Sequence, residues 1–241
     1  LWELLVVVFK VPLYVLPRPT AIFSAALEMR QSLWSATRLT AGAAAAGFAA
    51  SVVVGTIAGI LFSQSKIIRS SLFPYAIFLQ TVPMVAIAPL IVIWFGYGFQ
   101  SVVFVSFIIS LFPMITNATA GLTEIDPDRI ELFRLCRATR WQILTKLRLP
   151  NAVPYLVAGA KTSAGLAVIG AIVGEFFAGY GVQQFGLGYL VRQTNDQMKT
   201  AELFAAVFAC AFLGIVVFAA ISVASATILG RWYDRGDAAE P

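Results

Sequence analysis

Residues 123–150 read TEIDPDRIELFRLCRATRWQILTKLRLP, and ten of these 28 residues are charged. The chain around them is almost without charge. None occurs in the 54 residues between Arg69 and Glu124, the 27 between Arg38 and Lys66, or the 28 between Glu202 and Arg231. A bilayer core takes about 20 apolar residues per helix, so the longest run holds two spans and a turn. A large soluble core is excluded, because a soluble surface needs charge that these runs do not supply. The charged stretch therefore interrupts a membrane chain.

Working outward, the stretch separates a fourth span, about 101–122, from a fifth, about 151–178. The third span is expected over about 72–95, with Pro74, Pro83 and Pro89 inside it; prolines are tolerated in membrane helices where neighbours or water satisfy the freed carbonyls. The second is expected over about 39–62, where Gly55-x-x-x-Gly59 allows close helix approach. A polar loop, 63–71, joins these two. The sixth span is expected over about 202–230, after a glycine-rich loop, and a polar tail follows. Residues 20–38 read as a surface helix along the interface. The first segment, LWELLVVVFKVPLYVLP, is apolar but short and begins without Met, so a truncated first span is expected. The fold class is thus all-α: a polytopic transmembrane bundle of about six helices, forming one domain over 1–241.

Charge placement sets topology. With alternating spans, ten Lys and Arg fall on the side of loop 63–71, segment 123–150 and the tail, against five on the other. Basic residues favour the cytoplasm, so the charged segment and both termini are expected there. The net charge of +5 is explained by topology and does not imply nucleic acid. The chain has no His, and Cys136 and Cys210 form no ligand pattern. No catalytic residue, metal site or bound cofactor is expected, and both cysteines read as reduced packing residues.

Within the segment, Asp126-Pro127 suits a helix start. Leu132, Cys136, Ile143 and Leu147 form a partial apolar stripe. Phe133 and Arg140 violate it, which a break near Ala138-Thr139 into two short helices would relieve. A plain connection needs only a few residues. A long segment with an apolar stripe suggests a soluble partner on the cytoplasmic face.

Glu131, Ala138, Trp141-Gln142, Leu147 and Leu149-Pro150 resemble the EAA signature of binding-protein-dependent ABC importer permeases. Leu132 and Phe133 replace its two alanines, and Arg137 stands at its usual glycine. VLPRPTAIF, TVPMVAIAPLIVIWFGYG, LRLPNAVPYLVAGAKTSAGLAVIGAIVGEF and GLGYL resemble further segments of the nitrate/sulfonate/taurine-type permeases. The resemblance implies a permease half, commonly a homodimer with a second copy. It implies two separate ABC ATPase subunits that bind ATP and Mg, a periplasmic or lipid-anchored solute-binding protein, and the bacterial inner membrane. It also implies that segment 123–150 holds the coupling helix, with Asp128, Glu131, Leu135, Arg137, Ala138, Thr139, Arg140 and Trp141 as its ATPase-coupling surface. Among solutes it points to small organic anions, nitrate-like ions, or vitamin and pyrimidine precursors, with a small organic solute preferred.

The chain has no G-x-x-x-x-G-K-[ST] loop, so it is not its own ATPase. Candidate pathway residues are Gln80, Met84, Asn117, Lys161 and Glu175. Lys161 and Glu175 are intramembrane charges, which face a cavity or partner unless they snorkel to an interface. Gln80, Met84 and Asn117 could touch solute or satisfy proline-freed carbonyls. Gly170-x-x-x-Gly174 packs either within one subunit or against a second copy. The alternative function, a secondary transporter or channel subunit not driven by ATP, would need ionisable residues near the midplane, and the chain offers almost none.

Overall fold

The computed structural model describes residues 2–9, 12–179 and 185–237, which contain helices and no strand. Two short helices, α1 (Trp2–Val8) and α2 (Pro19–Glu28), precede the first long one, α3 (Arg30–Gln64). The expected surface helix over 20–38 is therefore interrupted at Met29. Its second half is the beginning of a 35-residue apolar helix, because no breaker separates Arg30 from Leu39. The expected polar loop 63–71 is also helical. The Ser65 hydroxyl accepts the Ile68 N–H and caps α4 (Lys66–Thr81).

The third expected span is not continuous. It breaks at Val82-Pro83 into α4 and α5 (Met84–Phe95), of 16 and 12 residues. At 1.5 Å per residue these reach about 24 and 18 Å, each short of the roughly 30 Å hydrocarbon core. Val82 takes ψ 126, the extended conformation imposed on a residue before proline. Pro74 and Pro89 stay inside their helices.

The fourth span is α6 (Phe99–Thr123), followed by α7 (Pro127–Leu135), α8 (Arg140–Ile143), a π turn over Leu144–Arg148, and α9 (Leu149–Ala178). Four helical stretches have the length and apolarity to cross a membrane: Arg30–Gln64, Phe99–Thr123, Arg140–Ala178 and Thr200–Gly230. The loop expected after the fifth span contains α10 (Leu187–Asp196); residues 180–184 lie outside the described residues. The expected polar tail prolongs α11 (Thr200–Asp237).

The chain forms two compact units, one of residues 1–47, 83–107 and 167–217, the other of 48–82, 108–166 and 218–241. The core of the first is built from small and branched residues, among them Ala43, Val102, Val168, Ala171 and Leu187. Among the described residues of the second, Phe62 packs with Ile115, and Leu122 with Leu144 and Ala152.

In both units glycines bring backbones onto α6. In the second unit a Cβ at Gly55 would lie 2.7 Å from Met114, and one at Gly59 would lie 2.6 Å from Ala118. The equal offset of these pairs makes α3 and α6 parallel neighbours there, so the Gly55-x-x-x-Gly59 pair has α6 as its partner. In the first unit Gly170 and Gly174 meet Ser106 and Val102. The Gly170-x-x-x-Gly174 pair thus packs within the chain.

Exchanging Gly170 for alanine places a methyl 2.7 Å from the Ser106 Cα, whereas Gly165 has open space. Gly170→Ala should cost about 1–3 kcal/mol through overpacking. Gly165→Ala should be neutral or gain up to about 1 kcal/mol in helix propensity. Thermal unfolding of the purified protein in nanodiscs checks the pair; equal melting temperatures would refute this packing.

Candidate functional site

Segment 123–150 folds into two short helices with explicit ends. Asp126 accepts the Asp128 N–H at 3.0 Å and caps α7, with Pro127 at its first position. At the other end, the Ala138 N–H donates to the Phe133 carbonyl and the Arg137 N–H to the Arg134 carbonyl, both at 2.9 Å. These two bonds define a Schellman termination. Its left-handed residue is Arg137, at φ 53, which accounts for glycine being usual there: only glycine adopts that conformation without a Cβ penalty.

Thr139 and Gln142 then form a reciprocal capping box. The Thr139 N–H donates to Gln142 Oε1 at 2.8 Å, and the Gln142 N–H donates to Thr139 Oγ1 at 3.3 Å. The expected break near Ala138-Thr139 is present and closed from both sides. The expected partial apolar stripe does not stay on one face. Leu147 is buried and Ile143 half-buried, but Leu132 and Cys136 are exposed, because the break turns the first helix onto a different face.

The segment is tied to its spans. Asn151 Nδ2 donates to the Gly121 carbonyl at 2.9 Å and the Glu124 carbonyl at 3.2 Å, at the end of α6. Arg148 Nη1 donates to the Ser63 carbonyl, at the end of α3. Leu144 and Leu147 are buried beside these bonds. The π turn lies just before Pro150, whose ring would strike the Lys146 carbonyl in a regular α-helix. Sequence reasoning missed Arg148 and Asn151, whose partners are 85 and 30 residues away. It also missed Gln142 as a cap, although Thr-x-x-Gln is a local signal.

Asp128, Glu131, Leu135, Arg137, Thr139, Arg140 and Trp141 are exposed, and Ala138 is half-buried. Leu135 is 77% and Trp141 71% exposed. Large apolar side chains displayed among arginines mark an interaction surface.

The pathway candidates have separate surroundings. Gln80 is exposed near the end of α4, and Met84 is half-buried at the start of α5, so the pair flanks the Val82-Pro83 break. Asn117 Nδ2 donates to the Pro113 carbonyl at 2.8 Å and packs on Gly159. This is not the carbonyl that Pro113 frees, which belongs to Ile109. Lys161 Nζ lies 5.0 Å from the centre of the Phe218 ring, a cation–π contact.

Glu175 is fully buried. One carboxyl oxygen accepts the Gly188 N–H and the Thr40 hydroxyl, each at 2.9 Å, and Thr40 Oγ1 accepts the Leu187 N–H at 2.9 Å. Two of the four N–H groups that the start of α10 leaves open are thereby satisfied from α9 and α3. The acidic group also lies at the positive end of the α10 dipole. The GLG stretch at 186–188 is what this approach requires. A Cβ at Gly186 would stand 2.1 Å from the Glu175 carboxyl carbon, and one at Gly188 would stand 2.2 Å from the Ile172 carbonyl oxygen.

Glu175→Gln keeps an acceptor for the Gly188 N–H and should be mild. Glu175→Leu strands that donor in the core, at about 1–3 kcal/mol, while the Thr40 hydroxyl keeps its bond to the Ala36 carbonyl. Thermal unfolding together with hydrogen exchange of residues 187–190 checks this. Wild-type exchange in Glu175→Leu would contradict the capping role.

Comparison with known proteins gives a consistent result. Residues 51–236 match the family described as "Binding-protein-dependent transport system inner membrane component". The chain is 34% identical over 223 residues to the formylaminopyrimidine transport permease protein ThiX of Halalkalibacterium halodurans, covering 92% of this chain and 87% of that protein. It is 31% identical over 233 residues to the riboflavin transport system permease protein RibX of Chloroflexus aurantiacus, covering 96% and 85%. It resembles the solved MetNI methionine ABC transporter in an inward-facing conformation with a TM-score of 0.54 at 21% identity, over 80% of this chain and 95% of that one. This last likeness concerns the fold.

Proposed function

The chain belongs to the binding-protein-dependent transport system inner membrane component family and is a permease subunit of an ATP-driven ABC importer; from that premise we propose how its parts divide the work. The alternative of a secondary transporter or channel finds no support in this family. Segment 123–150 is the lever on which separate ATPase subunits act. Those subunits bind ATP and Mg and carry out the hydrolysis. An external binding protein, periplasmic or lipid-anchored, delivers the solute, and a second permease copy completes the pathway. The termini and the lever face the cytoplasm.

One observation carries the lever assignment: the segment displays Leu135 and Trp141 on helices whose ends are closed by the Schellman turn and the capping box. A displayed apolar surface on a rigid mount transmits force; a loose loop would absorb it. Arg148 and Asn151 pass displacement to the ends of α3 and α6. Glu131, Arg137 and Arg140 supply charge-assisted contacts to the partner.

The Val82-Pro83 break supports a pathway role for Gln80 and Met84, since irregular backbone at membrane depth is tolerated where it is covered by protein or lines a cavity. Asn117 and Lys161 stand with them as pathway residues, and Glu175 acts on the pathway by holding α10. The solute is a small organic molecule; the formylaminopyrimidine and riboflavin relatives support a heteroaromatic one.

In proteoliposomes holding the complete importer, Glu131→Lys should retain ATP hydrolysis while solute uptake falls at least tenfold. Normal uptake coupled to hydrolysis would remove the coupling assignment. Arg137→Gly relieves the left-handed position but gives up the guanidinium contact, so uptake should fall less than in Arg137→Val. Arg137→Val should destabilise the turn by about 1–2 kcal/mol and lower coupling with it.

A further inference from the structure

A cavity of about 640 Å³ opens beside α10 in the first unit. That is within the range of small-molecule sites, roughly 300–1,000 Å³. Among the described residues, four aromatic rings line it: Tyr97, Phe177, Phe185 and Tyr189. Phe185 and Tyr189 already stack, with centroids 4.6 Å apart and planes 11° from parallel. Tyr97 is 81% exposed, so its ring face is uncovered. Gly179, at φ 43, itself lies against the Tyr189 ring.

The polar lining decides the ligand's charge. It holds one cation and one anion, Arg192 and Asp196, and these lie 3.7 Å apart. Arg192 also donates to the Phe176 carbonyl at 3.1 Å. The guanidinium thus has a carboxylate partner in place, and the charges of the described lining cancel, leaving no net charge to attract a free anion. Gln193 and Gln197 add to the described lining, and each amide offers both donors and an acceptor. Because Glu175 and Thr40 fix the start of α10, the wall bearing Tyr189 and Gln193 is held in place before any ligand arrives.

We infer that this cavity is a solute subsite for an uncharged, planar nitrogen heteroaromatic, of aminopyrimidine type, and not for an inorganic or sulfonate anion. Ring faces supply stacking, and the amides read the edge donors and acceptors. The inference rests on the importer reading and assigns a solute class to it.

The test is ¹⁹F NMR on the intact importer in nanodiscs, without nucleotide. 5-Fluorocytosine is the heteroaromatic probe and trifluoromethanesulfonate the anion probe. 5-Fluorocytosine should bind, and Tyr97→Ala and Tyr189→Ala should each weaken it about tenfold, as expected for losing one stacking ring. Tyr189→Phe should retain it. Tyr97 is exposed, so its alanine variant reports on the cavity even if Tyr189→Ala fails to fold. Three results overturn the inference: equal or tighter binding of the sulfonate, 5-fluorocytosine affinity unchanged in both alanine variants, or loss of binding-protein capture in those variants with probe affinity intact, which would make the surface a protein contact. Failure of an ATPase subunit to co-purify would sink the importer reading instead, leaving the NMR result as measured.

Discussion

Backbone contact against α6 (Phe99–Thr123) is the constraint from which the rest follows. In lipid, apolar side chains gain little by leaving their surroundings, so helices associate through close packing and hydrogen bonds. Gly55 and Gly59 on α3, and Gly170 and Gly174 on α9, remove the side chains that would keep those backbones away from α6. Buried serines add bonds across the gap: Ser106 donates to the Ala167 carbonyl and Ser163 to the Ser110 carbonyl, each at 2.8 Å. Within each unit, α6 is thus held closely to a neighbouring helix.

The same close packing bears on the role proposed for the charged segment. It leaves α6 at Thr123 and enters α9 at Leu149. Asn151 closes the carbonyls at the end of α6, and Arg148 reaches the end of α3. Between these ties, α7 and α8 are separated by a turn in which the N–H groups of Cys136, Arg137, Ala138 and Thr139 all have acceptors. In the proposed coupling, a push on Leu135 or Trp141 would reach the end of α6 through Asn151 and the end of α3 through Arg148. At the other end of α9, the buried carboxyl of Glu175 performs a similar service, fixing a short helix by its N-terminal amides.

Much of this was legible in the sequence. Charge gaps located most of the spans, because lipid excludes charge more strictly than any propensity selects helix. The helix start at Asp126-Pro127 and the break after Ala138 were visible as local capping chemistry. The Val82-Pro83 break was not. Pro74, Pro83 and Pro89 look alike in sequence, yet only Pro83 opens its helix, a choice that depends on surrounding contacts. Glu175 was recognisable as a misplaced charge, but its role depends on Thr40, 135 residues away. The aromatic cavity needs Tyr97 to meet residues 177–197, and no periodicity encodes such a meeting.

The most direct measurement is a cross-link from the lever. In a chain carrying Cys136→Ser and Cys210→Ser, a cysteine replacing exposed Leu135 is treated with a short bifunctional thiol reagent in membranes containing the whole importer; a cysteine replacing exposed Tyr14, beyond α1, is the control. A covalent product with the ATPase subunit should form from position 135 and not from position 14. Absence of that product in every nucleotide state, or equal yield from both positions, would contradict the mechanism.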